Sequence, residues 1–65
     1  MKITVDKESD ALYFRLDETK IVESEEVRLG IILDFDENDR VGVEFLNISS
    51  RATEDELKTM EFQSA

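Results

Sequence analysis

The sequence predicts an α+β, mainly β fold: a small antiparallel β-meander of about five strands with one short C-terminal helix. Three observations carry this expectation. Short runs of alternating apolar and polar residues recur between residues 2 and 48, separated by polar clusters. That is the period of half-buried strands. Within them, residues 29–48 (LGIILDFDENDRVGVEFLNI) set two apolar runs around an acidic tip and read as one β-hairpin. Beyond Ile48 the alternation stops and a helix-start pattern follows. A chain of 65 residues makes one small domain. The sheet is expected in residues 1–50, the helix and a tail in residues 51–65.

In order along the chain, Ile3 and Val5 share one side of a short first strand. Residues 6–10 are polar and form a turn. Leu12, Phe14 and Leu16 alternate with Tyr13 and Arg15 as a second, half-buried strand. Residues 17–20 form another turn. Residues 21–27 are a weaker strand carrying Glu23, Glu25 and Glu26. Charge of that kind suits a sheet edge, where it discourages stray pairing.

The hairpin can be placed in register from parity alone. Leu29, Ile31, Leu33 and Phe35 share one face, and Val41, Val43 and Phe45 share one face. Both sets are expected in the core. Residues directly opposite in an antiparallel pair lie on the same side. Leu33 therefore pairs with Val43 and Phe35 with Val41, which leaves Glu37, Asn38 and Asp39 as a three-residue loop. Such loops end in a left-handed residue, here Asp39.

After Ile48, Thr53 followed by Glu56 fits a capping box, and Glu54 and Asp55 complement the helix dipole. Leu57 and Met60 are spaced to share a face. A helix is expected over residues 53–62, too short to persist alone.

Composition excludes more than it assigns. Cys and His are both absent. Disulfides and the usual zinc, copper, haem and iron–sulfur ligand sets are thereby removed, and no cofactor is expected. A domain this small buries only about 60% of its unfolded surface, so oligomerisation or docking is the expected source of extra stability. The net charge is −9, distributed as −1 over residues 1–22, −6 over 23–44 and −2 over 45–65. Direct nucleic-acid binding and attraction to an anionic membrane are disfavoured. The first residues, MKITVDKESD, lack a signal-peptide apolar run, and no stretch approaches a membrane span. The cytoplasm is the expected compartment.

Opposite the apolar stripe lie Gly30, Ile32, Asp34, Gly42, Glu44 and Leu46, with Tyr13 and Arg15 on the corresponding side of their strand. One reading is a solvated face with glycine-assisted twist and a cross-strand ion pair at Arg15. The other is a contact surface for a homodimer mate or partner. Tyr13, Ile32 and Leu46 would then be its apolar contacts, Arg15, Asp34 and Glu44 its polar ones.

The segments DKESDALYFRL (residues 6–16), GIILDFD (30–36) and VGVEFL (41–46) together resemble a prokaryotic family known only as domain of unknown function 2283. The resemblance covers residues 2–50 and implies a small β-rich domain without an established activity. It also implies an antitoxin-like role, because such genes often sit beside genes for small toxin-like proteins. The residues matching its motifs are Asp6, Asp10, Ala11, Leu12, Tyr13, Gly30, Asp34, Gly42 and Glu44. The family's Asp-Gly hairpin turn is replaced here by Asn38-Asp39.

Asp34, Asp36 and Asn38 match the opening of a calcium loop, but Asp39 stands at its glycine position and Phe45 at its final glutamate. No metal site is expected there. No nucleophile elbow or phosphate loop is present, and the chain is expected not to be an enzyme. Two functions remain. One is an interaction module, antitoxin-like, docking on a small basic protein, with Glu23, Glu25 and Glu26 contributing to the contact. The other is a structural homodimer without a ligand. A metal- or carboxylate-dependent enzyme built on Asp34 and Glu44 is a distant third.

Overall fold

A computed structural model describes residues 1–64 of the chain. Five antiparallel strands form one sheet: β1 (Lys2–Asp6), β2 (Ala11–Arg15), β3 (Glu23–Arg28), β4 (Ile31–Phe35) and β5 (Val41–Leu46). A 3-10 turn (Ile48–Ser50) and a short helix, α1 (Glu54–Lys58), follow. The mainly β, α+β class read from the sequence is the class observed. The strand order is β1-β2-β5-β4-β3. β3, β4 and β5 are joined by successive hairpins, while β2 lies beside β5, so these four strands make a Greek key. Residues 16–22 connect β2 to the far edge, passing the end of the β4–β5 hairpin.

The parity argument gives the observed register. Leu33 pairs with Val43 and Phe35 with Val41. Asp36 N–H donates to the Arg40 carbonyl at 3.3 Å, closing a loop of Glu37, Asn38 and Asp39. Asp39 has φ 58°, the left-handed residue that such a loop requires.

Three other expectations change. Leu29 and Gly30 lie in the β3–β4 turn rather than on a strand. Gly30 has φ +78° there, and Leu29 is 87% exposed rather than part of the apolar stripe. The helix has the expected capping box, with Thr53 and Glu56 bonded reciprocally. It ends at Lys58 instead of near residue 62, because Thr59 adopts an extended backbone and little apolar surface holds the next turn down. Met60 and Phe62 are consequently exposed.

The third change concerns the core. Each row of the sheet can be followed across strands through the pairing. One runs Glu25, Leu33, Val43, Phe14, Ile3; the next runs Arg28, Ile31, Phe45, Leu12, Val5. This is the apolar stripe expected to be buried. Its large side chains on β2, β4 and β5 are only half-buried, and no large side chain among the described residues is fully buried. Contacts between elements run chiefly from strand to neighbouring strand. Folded domains normally pack two layers around a core; this sheet is a single layer whose apolar face is half-buried at its centre, with Ile48, Ala52 and Leu57 near it only at the Val5 margin. The buried residues of the sheet lie on the opposite face, at Ala11, Asp34 and Gly42.

Candidate interaction surfaces

On the second face, pairing brings together most of the residues singled out in the sequence. Tyr13 and Ile32 both lie directly opposite Glu44, and Asp34 lies opposite Gly42. Leu46 pairs with Ala11. Glu44 and Asp34 are diagonal neighbours on one side of the β4–β5 pair and share a hydrogen bond. Asp34 is 6% exposed and also accepts from Ser24 Oγ at 2.6 Å. Its hydrogen bond, desolvation and the repulsion of its negative charge push the Glu44 carboxyl up to about 7. Like charges at such proximity cannot both ionise easily, so Glu44 holds a proton that Asp34 accepts in a hydrogen bond.

Arg15 leaves this cluster. Its guanidinium donates to the Thr19 carbonyl instead of forming the expected cross-strand ion pair. Its stem packs beside Gly42, where a Cβ would meet Phe14 O at 2.9 Å and Arg15 Cγ at 3.4 Å. The glycine is therefore required by the close approach of the β2 backbone.

A second polar cluster binds the β2–β3 connection to the hairpin tip. Asp36, 4% exposed, accepts from Asn38 N–H at 2.8 Å and Arg40 N–H at 3.0 Å, and from the Thr19 hydroxyl. Arg40 pairs with Asp17 at 3.0 Å. The hydrogen bond from the Thr19 side chain is the leading cause that holds Asp17 well below the usual carboxylate range, with Arg40 adding to it. Thr19 Oγ1 lies within reach of both carboxylates and shares its one hydrogen between them; that bond, with the backbone donors of Arg40 and Asn38, lowers Asp36. These bonds fasten a crossover that has few apolar contacts of its own.

At the other end of the sheet, the Asp10 carboxylate accepts from Ser49 N–H and Ser49 Oγ, and its carbonyl accepts from Ile48 N–H. Arg51 donates to Leu29 O at 2.7 Å and Leu46 O at 3.0 Å. Sequence reasoning missed Arg51, because its partners are backbone carbonyls distant in the chain. A shallow groove of about 460 Å³ opens nearby, lined by Val5, Asp10, Ile48, Ala52 and Leu57 among others. It does not reach the Asp34–Glu44 pair.

The three glutamates of β3 divide between faces. β3 is an edge strand, exposed along its whole length. Glu23 and Glu25 stand opposite Phe35 and Leu33 on the apolar side; Glu26 stands opposite Ile32 on the second face. A register shift between Glu26 and Arg28 bulges the edge, a device that discourages strand addition.

Most motif residues thus carry a structural task. Asp6 caps the β1–β2 turn through Glu8 and Ser9 N–H, Asp10 anchors the segment after β5, and Ala11 is fully buried. Gly30 supplies a positive φ. What remains is one hydrogen-bonded carboxyl pair outside any cleft, one acidic edge and one half-buried apolar face. Among the described residues no group of three or more potential ligand side chains could hold a metal, and no helix is long and apolar enough to cross a membrane.

A family model described as "Protein of unknown function (DUF2283)" matches residues 2–49. No curated protein and no solved structure matches the chain.

Proposed function

The chain belongs to the DUF2283 family of proteins of unknown function, and from that premise we propose that it acts by binding other proteins, as an interaction module of the cytoplasm. The observation that carries this reading is the single-layer sheet whose central apolar side chains stay only half-buried, with the strong contacts running from strand to strand. Apolar surface of that extent marks a contact site. Catalysis has less support. Glu44 and Asp34 lie on a sheet face rather than in a pocket, and their hydrogen bonds join them to each other and to Ser24.

The acidic edge favours a basic partner for part of this surface. Glu23, Glu25 and Glu26 stand on an exposed strand of a chain with net charge −9, and such a field steers a cationic protein to the contact. The antitoxin-like role is the narrow form of this reading, with a small basic toxin-like protein as the partner. Affinity capture from the native host tests it. The expected result is a basic protein released by rising salt. Recovery of an acidic partner with salt-independent binding overturns the antitoxin-like form. Failure to recover any partner at low salt confines the module to contacts with itself.

A further inference from the structure

We infer that the apolar face of the sheet is closed by a second copy of this chain, giving a two-layer β-sandwich of two single-layer sheets. The inference rests on the reading above that this face is a contact surface, and it names the occupant. It also moves the expected homodimer contact from the Tyr13–Ile32–Leu46 side of the sheet to the opposite side.

Area is the first argument. The accessible surface is 5300 Å², whereas a compact monomer of this mass, 7.5 kDa, exposes about 4,200 Å². The radius of gyration is 12.5 Å against about 10.7 Å for a compact chain of this length. The excess, about 1,100 Å², is large enough to contain the roughly 800 Å² that each partner of a stable complex buries. The exposed Met60 and Phe62 contribute to it, as does the single-layer sheet.

Chemistry is the second. At the centre of the face, Leu12, Phe14, Ile31, Leu33, Val43 and Phe45 form two adjoining rows without a charged or polar side chain between them. Two such faces interdigitate as the inner surfaces of a sandwich, about 10 Å apart. Charges occur only at the β3 end of each row, as Glu25 and Arg28, the polar rim expected around an apolar contact. Despite its net charge, the chain offers its own copy an uncharged patch. The opposite face carries the Asp34–Glu44 pair at its middle, so an uncharged contact between two copies favours the apolar side.

The arrangement is isologous, so the same patch serves both copies and central residues meet near the two-fold axis. Because the chain has no cysteine, a single Val43→Cys change reports on that meeting directly. Wild-type protein is expected to sediment as a dimer at micromolar concentration, with a melting temperature that rises with protein concentration. Mild oxidation should cross-link Val43→Cys within the dimer. Thr4→Cys, on the second face and exposed, should stay uncross-linked. Val43→Cys changes size little and is expected to fold, and the wild-type measurements do not depend on it. A wild-type monomer at high micromolar concentration with a concentration-independent melting temperature overturns the inference. Equal cross-linking at Thr4 and Val43 overturns it as well. If that monomer binds an apolar-surface dye, only the second copy is lost and another chain must cover the face. If it binds none, the contact-surface reading falls too.

Discussion

Glu44 on β5 shares a hydrogen bond with Asp34 on β4, one diagonal step across the strand pair, and holds its proton to about pH 7. Asp34 contributes twice, as the acceptor of that hydrogen bond and as the negative charge that opposes ionisation of its neighbour. Ser24 donates to Asp34, which keeps the carboxylate satisfied while Glu44 is neutral.

This pair predicts an acid-shifted stability optimum. The Glu44 carboxyl titrates at 4.5 ordinarily and at about 7 in the fold. Its folded value is raised, so the native state binds the proton more tightly and stability falls as pH rises between those two values. Asp17, Asp36 and Glu56 are shifted the other way. Their contribution is present above their ordinary values and is lost as pH falls through the lowered ones. Urea melts should show the midpoint declining from about pH 5 to about pH 8. Glu44→Gln keeps a donor toward Asp34 but cannot ionise. It should flatten that decline and raise stability at the alkaline end. An unchanged slope in Glu44→Gln would assign the pH dependence elsewhere.

Asp36 predicts where the crossover is weakest. Its buried carboxylate accepts from two backbone N–H groups and from the Thr19 hydroxyl. Asp36→Ala removes every acceptor at once and is expected to cost about 2–3 kcal/mol, the range for charged hydrogen bonds and stranded donors. Thr19→Val removes one donor and should cost about 1 kcal/mol. Equilibrium denaturation of both variants checks the ranking. Equal losses would mean that the loop donors find water when Asp36 is gone.

Backbone conformation gives a pair of opposite signs. Asp39 holds φ 58° as a non-glycine residue, so Asp39→Gly should stabilise by roughly 0.5–1 kcal/mol. Gly42→Ala should destabilise, because its Cβ would lie 2.9 Å from the Phe14 carbonyl oxygen, a backbone atom held by strand pairing. Overpacking of that kind costs about 1–3 kcal/mol. Thermal melts of the two variants should move in opposite directions.

Why some of this was legible in the sequence follows from range. The hairpin register came from parity: one apolar set on each strand, a period of two, and an odd loop. The αL position of Asp39 followed from the loop length. The capping box was visible because its two residues are three apart. The strand order beyond the hairpin was not legible, since placing β2 beside β5 depends on long-range pairing. Nor was the reach of Arg51 to Leu29 and Leu46 carbonyls. The half-buried apolar face was hidden for a different reason: alternation shows which side chains share a face, not whether anything covers it. The extent of α1 failed because Met60 keeps helical spacing with Leu57 while finding nothing to pack on. The role of Asp36 had a usable signal, an Asp followed two residues later by Asn at a hairpin tip, the pattern of an Asx turn.

Divalent cations are expected to leave the fold unchanged. The two carboxylates that open the calcium-like pattern already have protein partners: Asp34 bonds Ser24 and Glu44, and Asp36 bonds Asn38, Arg40 and Thr19. A cation would have to displace those donors before coordinating. Melting curves with calcium and with chelator should coincide. A calcium-specific rise in melting temperature would reveal binding to the native state by mass action.

The acidic edge supplies the final test. Glu23 and Glu25 flank the apolar face while Glu26 flanks the other, and all three are exposed. A basic partner approaching β3 therefore feels the field from both sides of the strand. Replacing all three by Gln should leave the fold within about 0.5 kcal/mol of wild type, as surface changes away from specific contacts generally do. It should slow association with the captured partner more than it speeds dissociation, because exposed charges act on encounter. The difference between variant and wild type should shrink as salt rises, since screening confines such fields to about 8 Å at physiological ionic strength. Replacing Tyr13 or Ile32 should instead speed dissociation if the partner also reaches the second face, as central apolar contacts govern the off-rate. Stopped-flow binding at two salt concentrations separates these outcomes. An association rate indifferent to both the triple change and salt would remove β3 from the interface and leave the apolar face as the surface to follow.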